Sequence, residues 1–76
     1  MLVNLQTIIG RAEVGGFCVP AFNVYNTETL MGVIAAAEEA HAPVIVQVYP
    51  RLIKEEVGFY ICPAAVAAAG RASVPV

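Results

Sequence analysis

Aspartate is absent from the 76-residue chain, and histidine and serine occur once each, as His41 and Ser73. A catalytic serine or cysteine is activated by an adjacent base, and this sequence offers no Ser–His or Cys–His pair. A histidine-rich zinc site needs several imidazoles, which a single histidine does not provide. We therefore predict no catalytic residue and no metal ligand among these 76 residues.

Glycine-rich phosphate loops are also missing. Gly15-Gly16 is the only glycine pair, and it fits neither G-x-G-x-x-G nor G-x-x-x-x-G-K. Such loops hold phosphates with backbone N–H groups at the start of a helix. Their absence argues against an independent sugar-phosphate binding module.

Charge is scarce, with 13% charged residues against about 25% in a typical globular chain. Four basic and six acidic residues leave no positive surface for nucleic acid. No uncharged run is longer than 57–70, which contains Pro63 and is shorter than the ~20 residues of a membrane span. Because the N-terminus has no basic segment of a secretory signal, we predict a cytoplasmic protein without nucleic-acid or membrane partners.

The two cysteines, Cys18 and Cys62, have no Cys-x-x-Cys spacing. Without an export signal they are expected to be free, buried thiols in a reducing compartment. A disulfide, or a role as nucleophile or metal ligand, remains an alternative.

Hydrophobic residues make up 59% of the chain. Disordered chains have low hydrophobicity and high charge, so this chain should fold. A small domain has a large surface for its volume and normally carries more charge than this. The composition therefore resembles part of a larger core, and we expect residues 1–76 to form a single partial domain.

Two helices are predicted in the first half of the chain. Asn4 caps the first, which ends at Gly15-Gly16. Asn26 caps the second, which Pro43 ends and whose last turn includes His41. Apolar residues recur at helical spacing on one face of each helix: Leu5, Ile8, Ile9 and Ala12 in the first, and Leu30, Val33, Ile34 and Ala37 in the second.

The second half is predicted to contain a short helix over Arg51 to Val57, closed by Gly58, and a helix from Pro63 to Ala72. Proline suits a first helical position because its missing N–H would be unpaired there. Apolar runs over 17–24 and 44–48 predict strands covered on both faces. A third run begins at Ser73, and the chain stops inside it.

This order alternates strands and helices after a first helix, which predicts an α/β fold with parallel strands. Ligands meet such sheets at the carboxyl ends of the strands, where Asn23, Tyr49 and Arg51 lie. The Asn23 amide either contacts a ligand or ties down its own loop. Arg51 either reaches an anion or pairs with Glu55 along a helix.

Two glutamate pairs, Glu38-Glu39 and Glu55-Glu56, are the remaining candidates for chemistry. Paired carboxylates can act as general acid and base. We interpret these glutamates as residues on the solvent-exposed faces of helices.

A resemblance emerges from the order of the motifs. The run 19–24, Val-Pro-Ala-Phe-Asn-Val, follows the first helix, and the strand 43–48, Pro-Val-Ile-Val-Gln-Val, lies about twenty residues further on. Together with Ala36-Ala37-Glu38-Glu39 and Ser73-Val74-Pro75-Val76, these resemble the N-terminal part of the class II, zinc-dependent ketose-bisphosphate aldolases. The resemblance covers essentially the whole chain.

The resemblance implies the N-terminal portion of a (β/α)8 TIM barrel, comprising a first helix, β-α-β-α and the start of a third strand. It also implies reversible zinc-dependent cleavage of a ketose bisphosphate to dihydroxyacetone phosphate and an aldehyde. The family's catalytic Asp and zinc-binding His residues would follow Val76, so this chain alone is expected to be inactive and to bind no zinc. Asn23 matches a family Asn that faces the substrate. Tyr49 occupies a position where many members of the family have a small hydroxyl residue, and we assign it no function.

An alternative is a non-catalytic half-barrel module that self-associates or pairs with another chain. Below ~70–80 residues one core rarely supplies more than about 3–5 kcal/mol. Exposed strand edges favour association. We therefore expect a partly folded or oligomeric species in isolation.

Overall fold

The computed structural model describes all 76 residues and contains four helices and two strands. In chain order they are α1 Leu5–Gly15, β1 Ala21–Val24, α2 Thr27–Glu39, β2 Ile45–Val48, α3 Pro50–Ile53 and α4 Glu56–Arg71. The alternation of strands and helices confirms the predicted α/β class.

The two strands pair in parallel, with Ala21 opposite Ile45 and Val24 opposite Val48. Both are shorter than the apolar runs that predicted them. Pro20 lies just before β1 and cannot donate to the ladder, but its carbonyl accepts a hydrogen bond from the Ile45 N–H at 2.9 Å. Pairing therefore reaches the proline without requiring its missing N–H.

Residues 73–76 form no strand of this sheet. The Pro75 carbonyl accepts a hydrogen bond from the Val44 N–H at 3.1 Å, just before β2. Val76 bonds instead to the N-terminal segment, donating to Met1 at 2.9 Å and accepting from Val3 at 3.0 Å. The predicted third strand is thus not formed, and residues 73–76 make only single backbone hydrogen bonds beside β2 and the N-terminal segment.

The predicted caps of α1 and α2 are confirmed. Asn4 accepts a hydrogen bond from the Thr7 N–H at 2.8 Å, and Asn26 accepts one from the Thr29 N–H at 2.8 Å. Gly16 ends α1 with a φ of 69°, a left-handed conformation that glycine adopts without steric cost. Short polar side chains and glycine therefore set these boundaries locally.

The prediction that His41 lies in the last turn of α2, and that Pro43 ends that helix, is wrong. The helix ends at Glu39, and His41 follows the cap residue Ala40 with a φ of 51°. The His41 N–H bonds to the Glu38 carbonyl at 3.1 Å, and the next N–H bonds to the Ala37 carbonyl. These paired bonds are the Schellman ending, which stops the helix before the proline.

The predicted boundary at Pro63 is also wrong. α4 begins at Glu56 and carries Pro63 inside it. A proline inside a helix removes one hydrogen bond and crowds the carbonyl four residues earlier, here that of Phe59. Pro63 and Phe59 are both exposed, so water can satisfy the freed carbonyl.

Gly58 does not close a helix but lies in the first turn of α4, where it is buried. A Cβ atom here would lie 2.6 Å from the Ile53 Cα atom and closer still to the Leu52 carbonyl oxygen. The predicted helix over 51–57 is therefore replaced by α3, followed by a close turn into α4. Only a residue without a side chain allows the two helices to approach in this way.

The main core lies between the sheet and the pair α2 and α4. Val24, Leu30 and Ile61 are buried together, one from each element. A second cluster joins Ala37, Val44 and Val74. In α1, Ile8 and Ala12 are buried but Leu5 and Ile9 are exposed, so the predicted apolar face of α1 is only partly covered. No helix combines the length and apolar character needed to cross a membrane.

Candidate functional site

Two amide side chains face each other at the sheet. The parallel register places Asn23 of β1 directly opposite Gln47 of β2. Side chains alternate between the faces of a strand, so both amides lie on the face opposite Val24 and Val48, which pack into the helix-covered core. Both residues are exposed and lie one position before the carboxyl end of their strand.

The Asn23 amide makes no hydrogen bond within the chain. The loop after β1 is held by Thr29 instead, whose hydroxyl accepts from the backbone N–H groups of Tyr25 at 3.0 Å and Asn26 at 3.2 Å. The alternative in which Asn23 ties down its own loop is therefore not what the structure shows. The amide keeps its donors and acceptor for another molecule.

The sequence motifs predict no role for Gln47. Its motif contributed to the resemblance, but nothing in the composition gave it a role. The signal is its polarity within an otherwise apolar strand, together with the register that places it opposite Asn23. That register depends on how β1 and β2 pair, which the sequence of either strand does not show.

Tyr49 and Arg51 follow β2 at the same edge. Tyr49 precedes the first residue of α3, makes no capping bond with its side chain, and is half exposed. The Arg51 Nε atom lies 3.7 Å from Glu55 Oε1, so the predicted pair forms, but Glu55 lies beyond the end of α3 and the pair does not lie along one helix. Because both side chains are mainly exposed, this pair contributes little to stability.

The carboxylates and thiols do not form a common site. Glu38 accepts hydrogen bonds from Ser73, so it is not simply part of a solvated face. Both cysteines are free, as predicted, but Cys18 is exposed and Cys62 only partly buried, so the prediction of buried thiols is wrong for Cys18. No three His, Cys, Asp or Glu residues lie together as a metal would require, so these side chains do not fit a zinc site.

The arrangement is thus one parallel β/α unit and the start of the next, with a pair of unengaged amides at the carboxyl end of the sheet. The family model for fructose-bisphosphate aldolase class II matches residues 3–76. The chain belongs to this family, as its motifs predicted.

Solved structures of aldolases have the same fold. The YdjI aldolase from Escherichia coli K12 matches over 100% of this chain with 36% identity and a TM-score of 0.89. A protein from Coccidioides immitis, assigned as a fructose-1,6-bisphosphate aldolase, matches over 93% with 30% identity and a TM-score of 0.85. The chain spans 30% and 24% of the lengths of these two proteins, and it matches the N-terminal part of an aldolase TIM barrel.

Proposed function

We propose that this chain forms the N-terminal segment of a class II aldolase that reversibly cleaves a ketose bisphosphate to dihydroxyacetone phosphate and an aldehyde. The family match over residues 3–76 supports the reaction class. The observation that carries the proposal is the exposed Asn23–Gln47 pair at the carboxyl end of an aldolase-like sheet. In barrel enzymes that end of the sheet holds the active site.

In this proposal Asn23 contacts the substrate and Gln47 supports the same contact from the neighbouring strand. Adjacent strands lie about 4.8 Å apart, so one hydroxyl or carbonyl group can reach both amides. An amide both donates and accepts hydrogen bonds, which suits the alternating hydroxyl and carbonyl oxygens of a ketose. The pair would orient the sugar without taking up or releasing a proton.

Zinc is part of the proposal for the complete enzyme. A zinc ion held elsewhere in that enzyme would polarise the ketose carbonyl and stabilise negative charge formed on cleavage. The side chains of this chain do not fit a metal site, so we assign zinc binding and proton transfer to residues outside these 76. The isolated chain is accordingly expected to be inactive.

Side-chain amide signals in NMR spectra test the substrate contact. The chain has five such amides, at Asn4, Gln6, Asn23, Asn26 and Gln47. Titration with dihydroxyacetone phosphate should shift the signals of Asn23 and Gln47 with saturation. The other three amides, two of which cap helices, serve as internal controls. No shift, or equal shifts at all five, would contradict the contact.

Activity is tested by fusing residues 1–76 to the part of the YdjI aldolase that this chain does not cover. The fusion should cleave a substrate of the YdjI aldolase, whereas the 76-residue chain should not. Asn23→Ala should lower kcat/KM by about 10–100-fold, since misplaced substrate reacts slowly. Gln6→Ala, an exposed amide on α1, is the matched control. Equal activities for both variants would count against the role of Asn23.

A second candidate is a non-catalytic half-barrel module that covers its open sheet by self-association. Two observations favour it: both strands have a free edge, and the accessible surface of 5192 Å² exceeds by about 700 Å² that of a compact monomer of this mass. A standard interface buries about 800 Å² per partner. A reversible, concentration-independent unfolding transition of a monomer would argue against this candidate.

We also propose a cytoplasmic location. Cys18 is an exposed free thiol, and such thiols persist in a reducing compartment. Fractionation of the native cells, followed by detection of the chain with an antibody, checks this location.

A further inference from the structure

Tyr25 has an unengaged aromatic side chain close to the amide pair. It directly follows β1 and lies two residues beyond Asn23, the spacing at which strand residues share a face. Its ring is 51% exposed, belongs to neither core cluster and stacks on no other ring. Its hydroxyl makes no hydrogen bond within the chain, whereas its backbone N–H does. The fold therefore gives this side chain no structural role.

The backbone of Tyr25 is nevertheless held by Thr29, in the first turn of α2. The Thr29 hydroxyl accepts hydrogen bonds from the Tyr25 N–H at 3.0 Å and the Asn26 N–H at 3.2 Å. It also donates to Asn26, whose carbonyl and side-chain oxygens lie 3.0 and 2.9 Å away. A hydroxyl has one donor and two acceptor positions, so all of them are used. Both N–H groups of the two-residue loop between β1 and α2 are thereby fixed.

The same motif at α1 does not make these bonds. Asn4 and Thr7 repeat the Asn-x-x-Thr spacing of Asn26 and Thr29, and each asparagine caps its helix through the threonine N–H. Only in α2 does the threonine side chain bond back to the cap residue. A capped helix therefore forms without the hydroxyl contact, and the bond from Thr29 to Tyr25 goes beyond what capping requires.

We propose that Tyr25 is a further substrate-binding residue and that Thr29 is the positioning residue that holds it, an inference that rests on the proposed function. Loops that follow the strands form the active site in barrel enzymes, and Tyr25 belongs to such a loop. A tyrosine combines an apolar ring with a hydroxyl that donates and accepts. This matches the hydroxylated carbon chain of a ketose, whose C–H groups meet the ring while one hydroxyl bonds to the phenol. Because the loop is already ordered, binding does not have to order it.

Kinetics of the fusion between residues 1–76 and the remainder of the YdjI aldolase test both roles. Tyr25→Phe should raise KM by about 2–10-fold with little change in kcat, because one neutral hydrogen bond is lost equally from substrate and transition state. Thr29→Val should raise KM similarly, and Thr29→Ser, which keeps the hydroxyl, should restore it. Tyr60→Phe and Thr7→Val are matched controls at exposed positions, and both should leave KM unchanged.

NMR titration of the 76-residue chain with dihydroxyacetone phosphate separates this inference from the proposed function. The ring signals of Tyr25 should shift together with the amide signals of Asn23 and Gln47, while those of Tyr60 should not. Shifts of the two amides without a shift of Tyr25 would overturn this inference and leave the proposed function standing. No shift at any of the three would overturn both. A KM for Thr29→Val equal to that of the unsubstituted fusion would overturn the positioning role.

Discussion

Glu38 Oε1 accepts two hydrogen bonds from Ser73, from the backbone N–H at 2.8 Å and from the hydroxyl at 3.2 Å. One carboxylate oxygen of α2 thus holds the segment that follows α4, 35 residues away. It fixes the polypeptide beside the cluster of Ala37, Val44 and Val74. This tie is the role that the structure gives to Glu38.

Replacing Glu38 with glutamine should therefore destabilise the chain. The charge-assisted bonds would become neutral ones, and we expect a loss of about 0.5–1.5 kcal/mol in the free energy of unfolding. Urea unfolding followed by circular dichroism measures it. Glu39→Gln, the exposed neighbour on the same helix, should change the free energy by much less. Equal effects of the two substitutions would show that the Ser73 contact contributes nothing.

Gly58→Ala should be strongly destabilising. The added methyl group would overlap the Ile53 Cα atom and the Leu52 carbonyl, so α3 and α4 would have to separate, at a cost of about 1–3 kcal/mol. Gly32→Ala in α2 meets no atom within 4 Å and should stabilise by up to ~1 kcal/mol. Thermal unfolding of the two variants should show midpoints shifted in opposite directions.

His41→Gly should stabilise the chain by about 1 kcal/mol, because glycine adopts the left-handed conformation at φ 51° without the strain of a side chain. His41→Val should have the reverse effect, since β-branched residues tolerate positive φ poorly. Urea midpoints compare the three proteins. A stability loss in the glycine variant would mean that the imidazole makes a contact of its own.

Asn23→Ala should leave the free energy of unfolding within about 0.5 kcal/mol of the wild type, as is usual for an exposed side chain without a structural contact. Asn26→Ala removes the cap of α2 and should cost about 0.5–2 kcal/mol. Chemical denaturation separates the two cases. If the Asn23 variant is as unstable as the Asn26 variant, the amide has a structural role and its proposed contact with substrate loses its main support.

Local signals in the sequence predicted several features correctly. Asn4, Gly16 and Asn26 act through bonds to residues within one turn, so short stretches were sufficient to place the ends of two helices. The Arg51–Glu55 pair was likewise predicted from a spacing of four residues, although Glu55 lies beyond the end of α3. Motif order indicated the family, which the match over residues 3–76 confirms.

The errors share a different origin. Pro63 has the chemistry of a helix start, and Gly58 that of a helix end, yet both lie inside α4. Tertiary packing decided both positions. The backbone of α3 lies close to Gly58, where there is no room for a side chain. Pro63 is exposed, so water can replace the backbone hydrogen bond that proline cannot make. The residues adjacent to Gly58 do not predict its contact with α3, and those adjacent to Pro63 do not predict its exposure to solvent.

The sequence by itself determined the α/β class, the family and the caps of α1 and α2, because these depend on residue type and short-range spacing. Only the tertiary structure decided that Gln47 lies opposite Asn23, that Glu38 holds Ser73, and that α4 continues through its proline. Strand register, a hydrogen bond across 35 residues and close helix contact all join parts of the chain that are distant in sequence. These interactions form only once the chain is folded, so local sequence patterns do not predict them.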